Sequence, residues 1–125
     1  MRLLIDTHAL LWWFADDALL GVEARAAIAD PVNPTFVSAL SLAEIAIKQN
    51  LGKLRAPFIS DELLADQAMS PLPLTARHGR KLAELPLHHR DPFDRLLIAQ
   101  SLEEGLTIVT ADTRFAAYGV TLLAA

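Results

Sequence analysis

The chain has 125 residues, of which 53% are hydrophobic and none is cysteine, and its formal net charge is −4 at pH 7. The length fits a single compact domain over residues 1–125, and the lack of cysteine excludes disulfides and thiolate metal sites and makes a cytoplasmic location the default. No apolar run is long enough to cross a membrane, since the longest spans only residues 9–15.

Short apolar strands and helices alternate along the chain. Strands are predicted at residues 2–5, 35–38, 72–74, 106–109 and 120–123. Helices are predicted at residues 8–14, 21–30, 41–50, 60–69, 75–85 and 92–104. Asp91, directly before Pro92, is interpreted as the N-cap of the last helix rather than as a ligand, and Gly105 ends that helix. The alternation predicts an α/β fold, a three-layer α/β/α sandwich with a mainly parallel sheet.

Four acidic residues occur where such a sheet holds its ligands. Asp6 follows the first strand, Glu44 lies in the helix after the second strand, and Asp112 follows the fourth strand. Asp94 lies in the first turn of the last helix, on the face that its apolar residues direct toward the core. Because the carboxyl ends of parallel strands meet at one edge, we expect these four side chains to converge.

Each of these acids, taken alone, is explained as well or better by helix capping. Asp6 and Asp112 are placed to cap the helices that follow them, and Ser41 with Glu44 has the spacing of a capping box. Taken together, four caps at one edge would bring like charges close enough to raise one another's pKa, a conflict that a divalent cation resolves. We therefore predict a site for Mg²⁺, with Mn²⁺ as a substitute, whose ligands, direct or through water, are Asp6, Glu44, Asp94 and Asp112.

Such a site is typical of a phosphodiester hydrolase. A divalent ion lowers the pKa of a bound water and neutralises charge on the phosphoryl oxygens, so no nucleophilic side chain is needed. Glu44 or Asp94 is predicted to help position the attacking water. The net charge agrees with this interpretation, because setting four ligands aside from the 15 acidic residues leaves 11, equal to the number of basic residues. The remaining surface is then free to meet a phosphate backbone.

The motifs that carry these acids are Leu-Ile-Asp-Thr-His at 4–8, Ser-Leu-Ala-Glu-Ile at 41–45, His-His-Arg-Asp-Pro-Phe-Asp-Arg-Leu-Leu-Ile-Ala-Gln at 88–100 and Ile-Val-Thr-Ala-Asp at 108–112. In this order, and over essentially the whole chain, they resemble PIN-domain proteins, most closely the VapC toxins of type II toxin-antitoxin modules. The resemblance implies an Mg²⁺-dependent endoribonuclease that is inhibited by a cognate antitoxin and is usually a homodimer. It places the family's acidic positions on the same four acids and supporting hydroxyls on Thr7 and Thr110.

Basic and histidine residues near the acids are candidates for contacts with RNA. Arg90, Arg95 and Arg114 flank the last two acids and are the candidates for binding the RNA backbone. His88 and His89 have two open interpretations of equal weight. They bind phosphate or donate to a leaving group, or they belong to a loop that orders the entrance to the site.

The aromatic run at the end of the first helix indicates a surface for a partner. Trp12, Trp13 and Phe14 cannot all face inward from one helix, so at least one is predicted to be exposed or covered by a partner. An antitoxin helix and a second copy of the chain are both candidates, while packing against the sheet accounts for at least one of the three.

Two other functions remain open. One is a PIN-type nuclease for RNA processing or for structured DNA, working without an antitoxin. The other is a non-catalytic protein-binding module, in which the acids are caps and the apolar face is the functional surface. A neighbouring gene for a DNA-binding antitoxin would favour the toxin over the first, and metal-dependent cleavage of RNA would exclude the second.

Overall fold

A computed structural model describes all 125 residues and contains one five-stranded sheet. The strands are β1 (Leu3–Ile5), β2 (Thr35–Ser38), β3 (Met69–Leu72), β4 (Thr107–Thr110) and β5 (Leu122–Ala124). Their order across the sheet is β3-β2-β1-β4-β5, and every neighbouring pair is parallel. The predicted α/β class with a parallel sheet is confirmed.

Six α-helices and one 3₁₀ helix connect these strands. The helices are α1 (Thr7–Phe14), α2 (Val22–Ala29), α3 (Ala39–Asn50), α4 (Asp61–Asp66), α5 (Ala76–Glu84) and α6 (Pro92–Glu104), and the 3₁₀ helix spans Thr113–Tyr118. The two ends of α6 follow its sequence signals, because Asp91 accepts the N–H of Phe93 at 2.9 Å and Gly105 adopts a φ of 66°. No helix combines the length and the apolar character that spanning a membrane requires.

The core lies in two layers, one on each face of the sheet. Leu3 and Ile5 of β1 belong to the larger apolar cluster, which also contains residues of α1, α2, α3 and α4. Leu4, on the opposite face, packs in a smaller cluster with α6 and the 3₁₀ helix. All three strand residues are fully buried, as expected for a central parallel strand that is covered on both sides.

The boundary between α4 and β3 differs from the prediction. The helix predicted at 60–69 ends at Asp66, and the strand predicted at 72–74 lies at Met69–Leu72. The helix stops because the chain turns at Ala68 with a φ of 55°, which lets Met69 enter the core and begin pairing with β2. The strand stops after Leu72 because the last residue of β2 pairs there and the next residue is a proline without an N–H.

The remaining boundaries shift by one or two residues. The strands predicted at 106–109 and 120–123 lie at Thr107–Thr110 and Leu122–Ala124. The helix predicted to start at Ser41 begins at Ala39, because the Ser38 hydroxyl accepts the N–H of Leu40 at 3.1 Å and caps it. Ser41 and Glu44 are therefore both inside α3, and the capping box suggested by their spacing is not formed.

The sheet order places a crevice at the carboxyl ends of β1 and β4. The chain proceeds from β1 toward β2 and β3 on one side and later returns to β4 and β5 on the other. Connections that leave adjacent strands in opposite directions open the crevice in which α/β sheets bind their ligands. Asp6 directly follows β1 and Asp112 closely follows β4, so the fold brings two of the predicted ligands to this crevice.

Candidate metal centre

The predicted acids are positioned by four different elements around the crevice. Asp6 and Asp112 each cap the helix that follows them: Asp6 Oδ1 accepts the N–H of Ala9 at 2.8 Å, and Asp112 Oδ1 accepts the N–H of Arg114 at 2.9 Å. Glu44 projects from within α3, and Asp94 lies in the first turn of α6. For Asp6 the cap occupies one carboxylate oxygen, so capping and metal binding are compatible.

The tightest part of the cluster contains a histidine. One ligand atom from each of His89, Asp94 and Asp112 lies within 4.8 Å of the other two. Nε2 of His89 is 3.0 Å from Asp94 Oδ2 and 3.6 Å from Asp112 Oδ2. The sequence did not decide between a phosphate-binding and a loop-ordering role for this histidine, and the structure places its ring inside the acid cluster.

The two acids from the first half of the chain lie beside this group. The charge of Asp112 contributes to raising the pKa of Asp6, and the charge of Glu44 contributes to raising that of Asp94. Asp6 and Glu44 are 6% and 9% exposed. Asp112 thus acts electrostatically on both Asp6 and Asp94, and Glu44 acts on Asp94; a shared metal site for all four acids stays a prediction.

The carboxylate of Glu44 is fixed by two donors. Its Oε1 accepts the hydroxyl of Thr7 at 2.7 Å, and its Oε2 accepts Lys48 Nζ at 3.1 Å. Thr7 was predicted as a supporting residue, and the structure gives it this specific contact. Lys48 was not predicted as a member of the site, although the spacing of four residues from Glu44 on one helix is a recognised signal for such a pair.

Burial and neighbouring charged groups shift the pKa values of three of these acids in different directions. Burial raises the pKa of Asp6, against hydrogen bonds from Thr110 and Ala9 that lower it. Burial, followed by the charge of Asp91, raises the pKa of Asp94 to about 6. Hydrogen bonding from Arg114 lowers the pKa of Asp112 to about 2. The charged forms of two acids are thus disfavoured in the folded protein, while the third is held as a carboxylate.

This donor set fits a hard divalent cation. Carboxylate oxygens are the ligands that Mg²⁺ and Mn²⁺ prefer, and an added positive charge would favour the ionised forms of the two acids that burial disfavours. Asp94 and Asp112 are close enough to share one ion, and the charges of Asp112 and Glu44 act on Asp6 and Asp94 respectively. Chemically, the arrangement is able to hold an ion and a water next to a phosphodiester.

The three arginines predicted to contact RNA have different environments. Arg90 is exposed and lines an open groove of about 500 Å³ with Glu44 and Lys48. It also lines a second groove of about 410 Å³ with Arg114, whose side chain is 67% exposed and pairs with Asp112 at 2.7 Å. The first groove is lined by Glu44, and the second by His89 and Arg114, which contact Asp112.

Arg95 belongs instead to a clamp that fixes the loop before α6. Its Nη1 donates to the carbonyl of Pro86 at 2.8 Å and to the hydroxyl of Tyr118 at 3.1 Å. The same hydroxyl accepts the backbone N–H groups of His88 and His89, at 3.0 and 2.8 Å. Because Nη1 is used in this way, Arg95 has a structural role in this loop, and its contact with RNA stays a prediction. No sequence signal pointed to Tyr118.

The aromatic run of α1 borders an apolar groove. Trp12, Trp13 and Phe14 are all partly exposed, and Trp13 Nε1 donates to Gln67 at 3.0 Å. Trp12 and Phe14 line a groove of about 300 Å³. Its other apolar lining residues are Leu11, Ala15, Leu54, Ala56, Pro57 and Ile59. The structure thus leaves this run partly open to solvent, beside a groove that shares no lining residue with the basic grooves.

Two comparisons of the sequence with known proteins give matches that cover most of the chain. The family model described as "PIN domain" matches residues 3–120. Ribonuclease VapC22 of Mycobacterium tuberculosis is 30% identical over 114 residues, which cover 89% of this chain and 87% of that protein.

Solved structures share the fold over nearly the whole chain. VapBC2 from Rickettsia felis, crystallised with a DNA fragment from its promoter, matches with a TM-score of 0.71 at 18% identity and covers 98% of both chains. FitAB bound to a DNA fragment matches with a TM-score of 0.68 at 15% identity, covering 98% of this chain and 94% of the other. At these identities the structural matches establish the arrangement of strands and helices.

Proposed function

We propose that this chain, which belongs to the PIN-domain family and resembles its VapC members, is a metal-dependent endoribonuclease. We further propose that it is the toxin of a toxin-antitoxin pair. The observation that supports the proposal is the approach of Asp94 and Asp112 to within ligand distance of one another, with burial and the charges of Glu44 and Asp112 raising the pKa of Asp94, and burial and the charge of Asp112 raising the pKa of Asp6. The relative named as a ribonuclease supports RNA as the substrate.

In the proposed mechanism the four acids would bind Mg²⁺ or Mn²⁺, and neighbouring residues fix the positions of the acids. A bound divalent ion supplies a water of lowered pKa and neutralises charge that develops on the phosphoryl oxygens. Glu44 is kept in one orientation by Thr7 and Lys48, which suits it to accept a proton from a water at the crevice. Thr110 accepts the N–H of Asp112 at 3.0 Å and so fixes the turn on which that acid is placed.

The RNA backbone is proposed to follow the two basic grooves. Arg90 lines both grooves, and Lys48 and Arg114 each lie at an acid of the cluster, with side chains that are 41% and 67% exposed. Phosphates bound by these residues would bring the scissile bond to the acids between them. This arrangement accounts for RNA binding by a chain whose net charge is negative.

Cleavage of RNA by the purified protein tests the site. With Mg²⁺ or Mn²⁺ the wild type should cleave RNA, EDTA should abolish cleavage, and Asp6→Asn or Asp94→Asn should each reduce the rate by about 10³-fold. The matched control is Asp16→Asn, which neutralises an exposed acid that pairs only with Arg25. Circular dichroism checks that every variant is folded. Full activity in both site variants would refute the site, and inactivity of the wild type with both metals would refute the function.

The groove beside α1 is the proposed site for the antitoxin. It is apolar along most of its length, while Asp17 and Arg55 at its border offer charges of both signs to a partner. An amphipathic helix or an extended segment of an antitoxin would bury the exposed parts of Trp12 and Phe14. The structural relatives named VapBC2 and FitAB are complexes of the kind proposed here.

Coexpression with the protein encoded by the adjacent short gene tests this interface. Leu54→Asp should abolish copurification and inhibition, because it places a charge in the apolar groove. Val32→Asp is the control, since Val32 is equally apolar and 78% exposed but lies outside the groove. An antitoxin that binds Leu54→Asp as well as wild type would contradict the assignment. The lack of any adjacent partner gene would favour an RNA-processing or DNA nuclease without an antitoxin.

The assembly and location follow from the same proposal. We propose a homodimer, as the VapC resemblance implies, and the exposed apolar side chains of Leu51 and Phe58 are available to such a contact. Light scattering on the free protein tests this, with a monomer at micromolar concentration as the contradicting result. An RNA substrate is consistent with the cytoplasmic location predicted from the sequence.

A further inference from the structure

The histidine inside the acid cluster has a defined tautomer. The backbone N–H of Asp91 donates to Nδ1 of His89, with a separation of 3.2 Å. A ring nitrogen that accepts a hydrogen bond carries no proton, so the proton of the ring is on Nε2. Nε2 is the atom that faces Asp94 and Asp112.

A protonated Nε2 cannot be a metal ligand. Coordination needs the lone pair of a neutral imidazole nitrogen, which here would require the proton to move to Nδ1. Nδ1–H would then face the N–H of Asp91, and a donor buried opposite a donor is costly. The ring therefore presents an N–H, not a lone pair, to the space between the two carboxylates.

The position of the ring is set from outside the cluster. The hydroxyl of Tyr118 holds the backbone of residues 88 and 89, and Arg95 ties that hydroxyl to the loop. The ring itself is 5% exposed and packs edge-on against Phe115, with centroids 6.1 Å apart. Nε2 is buried and makes no well-aligned hydrogen bond, despite its 3.0 Å approach to Asp94. The surrounding contacts therefore hold Nε2–H close to the two carboxylates without a well-aligned acceptor.

We propose that His89 is a positioning residue that occupies the place of the cation: its Nε2–H keeps Asp94 and Asp112 together in the metal-free protein and competes with the metal for their oxygens. The proposal rests on the proposed metal site and concerns how that site is regulated. Removing the donor raises the free energy of the metal-free state, because Asp94 and Asp112 would then face each other without Nε2–H between them and Arg114 pairs only with Asp112. Metal binding should then become tighter.

Calorimetric titration with Mn²⁺ at about pH 8 tests the proposal. If His89 is a metal ligand, its removal should weaken Mn²⁺ binding, and if it is a competitor, its removal should tighten binding. His89→Leu keeps an apolar side chain against Phe115 and should bind Mn²⁺ about tenfold more tightly than wild type. His89→Gln keeps an N–H donor and should stay close to wild type. His88→Leu is the matched control, since that neighbouring ring is exposed and packs on Tyr118 outside the cluster, and its affinity should not change.

A weaker or unchanged affinity in His89→Leu would overturn the proposal. Nitrogen NMR of the wild-type ring gives a second test that does not depend on a variant folding. We expect Nε2 to be protonated without metal and to stay protonated when Mg²⁺ is added, whereas loss of that proton would show coordination and overturn the proposal. If the wild type takes up no Mn²⁺, the proposed metal site fails, while the NMR experiment on the metal-free protein still tests the tautomer of His89.

Discussion

Two groups of buried polar side chains lie along α6, and they differ in how well their hydrogen bonds and charges are satisfied. In the middle of the helix Gln100 is fully buried and its Oε1 accepts the hydroxyl of Ser38 at 2.6 Å. Near it His78, also fully buried, accepts the N–H of Thr75 at 3.0 Å and contacts Glu104 at 2.9 Å. We call Ser38, His78, Gln100 and Glu104 the α6 network.

At the start of the same helix the acid cluster has the opposite character. Burial raises the pKa of Asp6 and Asp94, and Nε2 of His89 lacks an aligned partner. A satisfied buried network contributes to the stability of the fold, whereas unfavourable charges persist only where another function requires them. The comparison indicates an architectural role for the α6 network and agrees with the chemical role proposed for the acid cluster. The two groups therefore make opposite predictions for stability.

The largest expected effect is in the α6 network. Gln100→Leu should lower the free energy of unfolding by about 3 kcal/mol, because the hydroxyl of Ser38 and the groups around His78 lose a buried partner. Urea denaturation measures this. Gln67→Leu is the control, since that exposed amide accepts only one hydrogen bond, from Trp13. Equal losses in the two variants would mean that the α6 network contributes no more than a surface contact.

The second prediction concerns metal. Mn²⁺ at about a hundred times its dissociation constant should raise the free energy of unfolding of the wild type by about 2.7 kcal/mol, since only the folded protein has the site. Gln100→Leu should keep this increment despite its lower stability, and Asp94→Asn should lose it. If Gln100→Leu lost it as well, the two groups along α6 would not be independent.

The third prediction concerns the sign of the stability change that a substitution in the acid cluster produces. In metal-free protein at about pH 7.5, Asp94→Asn should raise the free energy of unfolding by about 2 kcal/mol, because it removes a charge that folding disfavours. The pKa of Asp94 is raised from 3.8 to about 6, so the folded protein takes up the proton first as the pH falls. The advantage of the variant is therefore complete above pH 6 and disappears as the pH approaches 3.8.

Urea denaturation in EDTA at several pH values checks this profile, and Asp112→Asn provides the contrast. The pKa of Asp112 is lowered to about 2, so its ionised form contributes stability above pH 3.8 that is lost as the pH falls toward 2. Its neutralisation should not stabilise the protein at neutral pH. A stabilising Asp112→Asn together with a destabilising Asp94→Asn would reverse our division of the acids.

The smallest expected effect is in the clamp before α6. Tyr118→Phe should cost about 1 kcal/mol and should increase hydrogen exchange at the backbone amides of His88 and His89, which lose their acceptor. Hydrogen exchange followed by NMR measures both amides, with those of Leu4 and Ile5 in β1 as internal controls. Unchanged protection at His88 and His89 would mean that the loop is held by other contacts.

Much of the fold and the positions of the four acids could be predicted from local sequence. The alternation of apolar strands with helices, together with the caps at Asp91 and Gly105, is a local signal. The approach of His89 to Asp94 could not be predicted, because it depends on a hydroxyl from the 3₁₀ helix, 29 residues further along. The α6 network was also missed, since Ser38 and Gln100 are 62 residues apart and each is unremarkable in its own segment.

The register of the sheet has a consequence for the synthesis of the protein. Leu3 pairs with Thr107, and β1, which directly precedes Asp6, completes its hydrogen bonds only when β4 is present. Contacts this distant in sequence form late and slowly. A chain that is still being translated, and has not yet exposed residues 107–112, holds Asp6 and Glu44 without the two partners near β4. The proposed metal site would therefore be complete only after residues 107–112 have left the ribosome.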